Sequence, residues 1–307
     1  MWNIYERLNK HSSWCSCDVG SCICDFSFGN SKLYYSGRLS LRKFFRLYRI
    51  YTIQFFKARA EYRLNFWLGI LANIYSYFIT FLNYWIITRR FENIDGWGFA
   101  DMSILYGINL FTYAIAGTFV WYNAFQLEEE IISGGLDRYL IRPMGVIEQL
   151  ICSRFGDTFV GQVIVAGIFL IWAMFKHISL LSIGKVLYFF LILISGTMLQ
   201  IGAMIVVGSL SFWFNKSTKI GEVFYYEVRS LIHYPLSIYP VWIRYLLTYL
   251  LPWAFINYYP ALLLLGKGNS VIDYVLGGLS PFVGVGVFAF SIAFFYKGLQ
   301  VYCSPGN

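Results

Sequence analysis

The sequence predicts an all-α membrane protein, and two features of its composition support this fold class. Hydrophobic residues make up 58% of the 307 positions and charged residues only 13%, a balance outside the usual range of soluble domains. The apolar residues also fall in runs long enough to cross a hydrocarbon core as helices, which takes about 20 residues. The formal charge of +8 does not indicate nucleic acid as a partner, because no groove-reading module is recognisable in the sequence.

Five apolar runs are clear candidates for membrane spans. They lie at 64–88, 102–125, 157–175, 186–213 and 272–296. The segment between the fourth and fifth runs is ambiguous, because it combines apolar stretches with charges and prolines. No soluble domain fits between the runs.

The positive charges predict the orientation of these spans. Nine Lys and Arg residues lie between Lys32 and Arg63, directly before the first run. Positive charge near the end of a span stays in the cytoplasm, so the N-terminus is expected inside. Alternation of the spans then places the loop 126–154, the stretch "NKSTK" at 215–219 and the C-terminus inside as well.

Residues 41–63 predict an N-terminal amphipathic helix that lies along the inner membrane interface. Arg42, Arg46 and Arg49 share one helical face and aromatic residues share the opposite one, as is typical of interfacial helices. Two roles stay open for this helix. It would serve either as a simple positive anchor or as an elbow that also touches a cytoplasmic partner.

Residues 1–39 are expected to form a poorly ordered extension ahead of a permease domain at 40–307. The extension holds Cys15, Cys17, Cys22 and Cys24, in a compartment where disulfides rarely persist. Their C-x-C spacing differs from the C-x-x-C knuckles of structural zinc sites. We therefore predict no metal site.

Catalytic motifs are absent from the sequence. There is no G-x-x-x-x-G-K-[ST] phosphate-binding loop, since "GKGNS" at 266–270 lacks its spacing, and no H-E-x-x-H or nucleophile elbow occurs. The only histidines, His11, His177 and His233, are scattered. We expect no catalytic residue and no cofactor bound by this chain, so any energy source must come from outside it.

The predicted cytoplasmic loop contains a patterned stretch, "QLEEEIISGGLDRYLIRPMGVIEQLICSRFG" at 126–156. An acidic helical piece is followed by a break at Gly134 and Gly135, then by a short piece from Asp137, and Pro143 opens the next helix. Asp137 suits a helix N-cap and Pro143 suits a first helical turn. The pattern predicts a short helix parallel to the membrane and exposed to the cytoplasm.

Residues 131–143 also match the pattern I-x-S-G-x-L-D-R-Y-L-x-R-P almost throughout. Further matches are "GW" at 96–97, "YPLSIYPVWIRYLLTYLLPWAFINYYPALLLLG" at 234–266 and "YKGLQVYCSPGN" at 296–307. On these motifs the chain resembles the ABC type-2 exporter permeases of bacteria, over about residues 40–307. A cysteine at 303 departs from the small polar residue expected there.

The resemblance implies a permease with six transmembrane helices and both termini in the cytoplasm, in the bacterial inner membrane. It implies a dimer with a second permease chain, identical or homologous, surrounded by membrane lipid. It further implies two separate ABC ATPase subunits per complex, which would hold ATP and Mg.

In the resembled family this loop docks on the ATPase through a coupling helix between spans two and three. The resemblance therefore implies charged contacts by Glu128, Glu129, Glu130, Asp137, Arg138 and Arg142, and an apolar anchor at Leu136, Tyr139 and Leu140. The whole set of ATPase-coupling residues is Glu130, Gly134, Gly135, Leu136, Asp137, Arg138, Tyr139, Leu140, Arg142 and Pro143. The alternative is a polar connector whose arginines face lipid phosphates.

The resemblance places the fifth span at 218–236 and a re-entrant hairpin at 237–266 before span six. Pro235, Pro240, Pro252 and Pro260 suit a broken hairpin better than a straight helix. The competing interpretation keeps 218–240 at the inner interface and lets 241–265 cross as the fifth span.

One face of the predicted fifth span is polar. Glu222, Tyr226, Arg229 and His233 fall on one stripe of a helix. Ionisable residues at membrane depth tend to face a cavity or a partner helix, so these four are candidates for the substrate pathway or the dimer interface.

The function predicted is that of a transmembrane permease subunit of an ATP-driven ABC exporter. Two alternatives stay open. One is an ATP-independent channel or secondary transporter. The other is a membrane-embedded lipid-modifying enzyme, with Glu222, Arg229 and His233 as its polar chemistry.

Overall fold

The computed structural model describes residues 63–304 apart from 92–94, 143–144, 157, 178–181 and 215–216. Every element of three or more residues in this part is helical, so the predicted all-α class is confirmed. The Cys-bearing extension at 1–39 and nearly all of the interfacial helix at 41–63 lie outside the described residues. Both stay predictions.

The described helices follow one another without any intervening sheet. In chain order they are α1 (Arg63–Phe91), α2 (Phe99–Ala116), α3 (Tyr122–Phe125), α4 (Leu127–Ile132), α5 (Asp137–Leu140), α6 (Val146–Ser153), α7 (Thr158–Lys176), α8 (Ile183–Ser209), α9 (Ser217–Leu231), α10 (Val241–Tyr245), α11 (Tyr258–Leu265) and α12 (Val271–Val301). A π-helical turn, Gly117–Trp121, joins α2 to α3.

Four of the described helical stretches are long and apolar enough to cross a membrane. They are Phe99–Ile132, Thr158–Lys176, Ile183–Phe212 and Val271–Val301. Each coincides with one of the runs predicted from the sequence. The remaining run lies in α1, whose apolar stretch is the shorter Trp67–Thr80.

Helix α2 forms the centre of the bundle, with α7 and α8 packed against it. In the most apolar part of Phe99–Ile132, which includes α2, 83% of the residues are buried. The corresponding share in α12 is 22%, so α12 lies at the periphery. Helix α8 runs along α12 in close contact, because a Cβ at Gly284 would meet the carbonyl oxygen of Ser195. Small residues of this kind let membrane helices approach one another closely.

Helix α9 is shorter than the span predicted at 218–236. It ends at Leu231 after 15 residues, whereas a crossing helix needs roughly 20. Its length is therefore about 22 Å, shorter than the hydrocarbon core. The chain turns at 232–234, ahead of Pro235, and a 3₁₀ turn, Leu236–Ile238, follows. Proline has no N–H to continue the helix and restricts the residue before it.

The region 237–266 is a series of short helical pieces and not one continuous helix. Leu251 is extended, with φ −119° and ψ 90°, and a 3₁₀ turn, Pro252–Phe255, follows it. The buried Asn257 side chain ties this region to the bundle, because its amide donates to the carbonyl oxygens of Leu105, at 3.2 Å, and Ile232, at 2.6 Å.

Candidate functional site

Residues 126–154, here called the loop region, form a packed body at one end of the bundle. Glu128 accepts a hydrogen bond from the backbone N–H of Thr218 at 2.9 Å, next to the start of α9. Tyr302, directly after α12, donates to Asp137 at 3.1 Å. The loop region is therefore fastened to two helices that follow it much later in the chain.

Glu130 is the centre of the charges in the loop region. Its two carboxylate oxygens each accept from one guanidinium, that of Arg138 at 3.2 Å and that of Arg154 at 3.2 Å. Gly134 adopts a left-handed conformation with φ +70°, which glycine reaches without strain. A Cβ at Gly135 would meet the Glu130 carboxylate. The predicted glycine break is thus the turn that wraps the chain around Glu130.

Asp137 has a different role from the helix cap predicted for it. It lies inside α5, after the N-cap residue Leu136, and no side-chain cap hydrogen bond is present there. Its carboxylate instead accepts from the hydroxyls of Tyr302, at 3.1 Å, and Ser304, at 2.6 Å. Burial raises the pKa of Tyr302 to about 12, and the hydrogen bond to Asp137 and the negative charge of that carboxylate act in the same direction.

The apolar side chains of the loop region divide into buried and exposed sets. Leu136, expected at the contact surface, is fully buried, and Tyr139 is partly buried against the core. Leu140 is 45% exposed, Ile132 is 57% exposed and Ile141 is 84% exposed. A helix of four residues has too few turns for periodicity to reveal these faces. Pro143 lies outside the described residues.

A second candidate site lies inside the bundle around Arg229 of α9. The Arg229 side chain is almost fully buried, and its guanidinium carbon lies 3.6 Å from the centre of the Tyr113 ring. The hydroxyl of Tyr226 accepts from the Trp121 indole N–H at 2.8 Å and lies 2.9 Å from the hydroxyl of Tyr113. Arg229 and Tyr226 of the predicted stripe are therefore brought together, against the central helix α2.

The other two members of the predicted stripe have separate partners. Glu222 lies at 3.7 Å from the ammonium nitrogen of Lys219, at the start of α9. His233 lies beyond the end of α9, where its ring packs edge-on against that of Tyr106 with centroids 5.7 Å apart. The predicted stripe is thus spread over most of the length of the helix.

Three buried polar residues link α2, α8 and α9 beside this site. The Tyr225 hydroxyl donates to the amide oxygen of Gln200, and the Gln200 amide donates to Asn109 at 3.3 Å. All three side chains are inaccessible to solvent or nearly so. The sequence reasoning missed Asn109 and Gln200, although isolated polar residues in the runs 102–125 and 186–213 are a signal of membrane helix contacts.

An apolar groove of about 850 Å³ opens between α8, α9, the region 237–266 and α12. Its walls include Leu199, Val207, Ile220, Tyr225, Trp253 and Gly286. Tyr225 belongs both to this groove and to the tyrosines near Arg229, since its ring lies 6.2 Å from that of Tyr113. Tyr225 therefore lines the groove on one side and contacts the aromatic surroundings of Arg229 on the other.

Comparison with curated proteins finds no match for this chain. A family model described as "ABC-2 family transporter protein" matches residues 74–306, which include the loop region, α9 and α12. Proteins of this family are membrane components of transporters that partner with an ABC ATPase. The chain therefore belongs to the ABC-2 transporter family and is a multi-pass membrane permease.

Proposed function

We propose that this chain is the permease subunit of an ATP-driven ABC exporter, forms the translocation pathway as a dimer and couples to separate ATPase subunits. Membership of the ABC-2 family over residues 74–306 is the observation that carries the proposal. Two ATPase subunits per complex would hold ATP and Mg. The second permease chain would be identical or homologous to this one.

The loop region supports the coupling step because it presents an apolar surface on a braced body. Leu140 and Ile141 are exposed beside Arg138 and Arg142, an apolar centre with a charged rim of the kind that protein interfaces use. The ion pairs of Glu130 with Arg138 and Arg154 hold the pieces of the loop region together. A braced loop can transmit a displacement to the spans instead of absorbing it.

The proposed topology has six spans, with both termini in the cytoplasm of a bacterial cell and the chain in the inner membrane. The four long apolar stretches would be joined by α1 and by α9, and the region 237–266 would enter from the outer side as a re-entrant hairpin. The ion pair of Asp101 with Lys267 and its 3.3 Å contact with His177 would then face outwards. These contacts lie at the far ends of α2 and α7 from the loop region.

Helix α9 is the proposed contact with the second permease chain and with the pathway. Its outward face exposes Ile220, Val223 and Phe224, while Tyr226 and Arg229 face the centre of the same chain. Two such helices in a dimer would bring the exposed face of α9 next to the space between the protomers.

Association with an ATPase tests the proposal directly. The tagged full-length chain is purified from its native membranes and the ATP hydrolysis that co-purifies with it is measured. Ile141→Asp places a charge in the exposed apolar surface, and we expect it to reduce bound ATPase activity by about tenfold or more, as for a central interface residue. The matched control is Val271→Asp, because Val271 is 79% exposed at the opposite end of the bundle.

The control should retain its bound ATPase. If both variants retain it, or if the unmodified chain carries none, the proposed coupling through the loop region is wrong.

A further inference from the structure

Arg229 is a buried cation with no countercharge in the part of the chain that the structure describes. Its side chain is 6% exposed, and its Nε atom is buried with no hydrogen-bond acceptor within the described part of the chain. No carboxylate among the described residues forms an ion pair with it, since Glu222 on the same helix lies beside Lys219. Among the described residues, the guanidinium stacks on the face of the Tyr113 ring and lies within electrostatic range of the hydroxyls of Tyr77, Tyr106 and Tyr225.

The depth of Arg229 makes this arrangement unusual. Helix α9 begins at Ser217, next to the loop region, and Arg229 follows about 18 Å further along the helix axis. A guanidinium remains charged at physiological pH, and an uncompensated charge at membrane depth is costly and marks functional sites. The face of one tyrosine offsets part of this cost. An anion would supply the rest.

The groove beside Arg229 determines what kind of anion fits. It has a volume of about 850 Å³ and is lined almost entirely by apolar side chains, within the range of about 300–1,000 Å³ of small-molecule sites. Tyr225 forms part of its wall, with its ring 4.9 Å from that of Trp253 and 5.8 Å from that of Tyr226. Arg229 does not itself line the groove, so an anion held in the groove reaches the guanidinium only if the Tyr225 side chain moves.

We propose that Arg229 and the groove together bind a long-chain acid, with its acidic group at the guanidinium and its apolar chain along the groove. This rests on the proposed function, because as part of the pathway the site makes acidic amphipaths the class of transported substrate. The alternative anchor for the acid is Lys219, whose side chain is 88% exposed at the start of α9, close to the groove residues Ser217 and Ile220.

The proposal is tested with the full-length chain purified in a neutral detergent. Thermal unfolding is followed during titration with oleate and, in parallel, with oleyl alcohol, which has the same chain and no charge. We expect oleate to stabilise the protein and to bind about tenfold more tightly than the alcohol, the worth of one charge-assisted contact. Arg229→Gln should remove this preference, whereas Lys219→Gln should keep it.

Two further variants keep the test decisive even where Arg229→Gln does not fold. Arg229→Lys retains the charge and should retain the preference for oleate. Gly286→Leu should weaken the binding of both probes, because Gly286 lines the groove and a Cβ there meets no atom within 4 Å, so a larger side chain enters the groove without a clash.

Three results would overturn the proposal. The first is equal stabilisation by oleate and oleyl alcohol. The second is a preference for oleate that persists in Arg229→Gln or, where that variant does not fold, oleate binding that is unchanged in Gly286→Leu. The third is stabilisation by phosphatidylglycerol but not by oleate, which would make the groove a site for bilayer lipid. Binding to the isolated chain needs no ATPase. Loss of ATPase association with oleate binding intact would therefore contradict the proposed function alone.

Discussion

The loop region and the surroundings of Arg229 differ in how the charge of an arginine is compensated. In the loop region the carboxylate of Glu130 serves both Arg138 and Arg154, near solvent. Inside the bundle Arg229 has the ring of Tyr113 and no described carboxylate. Charges paired at a surface shape a turn with little effect on stability, whereas a single charge kept at membrane depth requires a functional reason.

The largest effect expected concerns the packing of the loop region. Leu136→Asp places a carboxylate where Leu136 is fully buried, and we expect it to lower the free energy of unfolding by about 3–5 kcal/mol. Thermal unfolding of the purified chain measures the loss. Ile141→Asp makes the same change on a side chain that is 84% exposed, with an expected effect within about 0.5 kcal/mol.

Equal tolerance of both changes would mean that the loop region is not a packed body. The pair also separates folding from docking, because Leu136→Asp should lose the ATPase only through loss of the fold, whereas Ile141→Asp should lose it from a stable protein.

The next effect expected is that replacing two arginines by methionine changes the free energy of unfolding in opposite directions. Arg229→Met removes a buried charge whose insertion costs about 2.5–3.5 kcal/mol and gives up a desolvated cation–π contact of about 2 kcal/mol. We expect a stabilisation of about 1 kcal/mol. Arg154→Met removes one ion pair with Glu130 and should destabilise by about 0.5–1 kcal/mol. The melting temperatures of the two variants in the same detergent give both signs.

Destabilisation by Arg229→Met would show that Arg229 has a countercharge in the folded chain. The contrast between the two regions would then disappear, and with it the reason to expect an anion at Arg229.

The sequence predicted the helices better than their side-chain partners. Four apolar runs became helices of membrane length, because length and hydropathy alone decide such elements. The end of α9 was predicted within five residues, since Pro235 marks it. Asp137 was misjudged as a helix cap because capping is a local rule, and its partner Tyr302 lies 165 residues away.

The sequence also did not predict which side chains are exposed or which polar side chains contact each other. Leu136 and Ile141 are alike in type and close in sequence, and only the packed turn around Glu130 makes one buried and the other exposed. Tyr113 lies in a run without a continuous polar face, so no periodicity shows which neighbour it faces. Its contact with Arg229 depends on the angle between α2 and α9, which is a property of the assembled bundle.

The smallest effect expected concerns the tail that follows α12. Ser304→Ala or Tyr302→Phe removes one hydroxyl from the Asp137 carboxylate and should cost about 0.5 kcal/mol. Trimming by carboxypeptidase should accelerate about twofold, the rate equivalent of that energy. Cys303→Ser is the matched control, because Cys303 is exposed between the two and its replacement should leave the trimming rate unchanged.

The pH dependence of this tail contact separates it from nonspecific packing. The pKa of Tyr302 is raised from 10.0 to about 12, chiefly by burial, so the contribution of its protonated hydroxyl is complete below about pH 10 and declines only as the pH rises towards 12. Trimming should therefore be equally slow at pH 7 and pH 9. If it accelerates already across that interval, or if Cys303→Ser releases the tail as readily as Ser304→Ala, Asp137 does not hold it. The loop region would then lack its connection to α12, and the contrast between a braced surface and a single buried charge would rest on Glu130 alone.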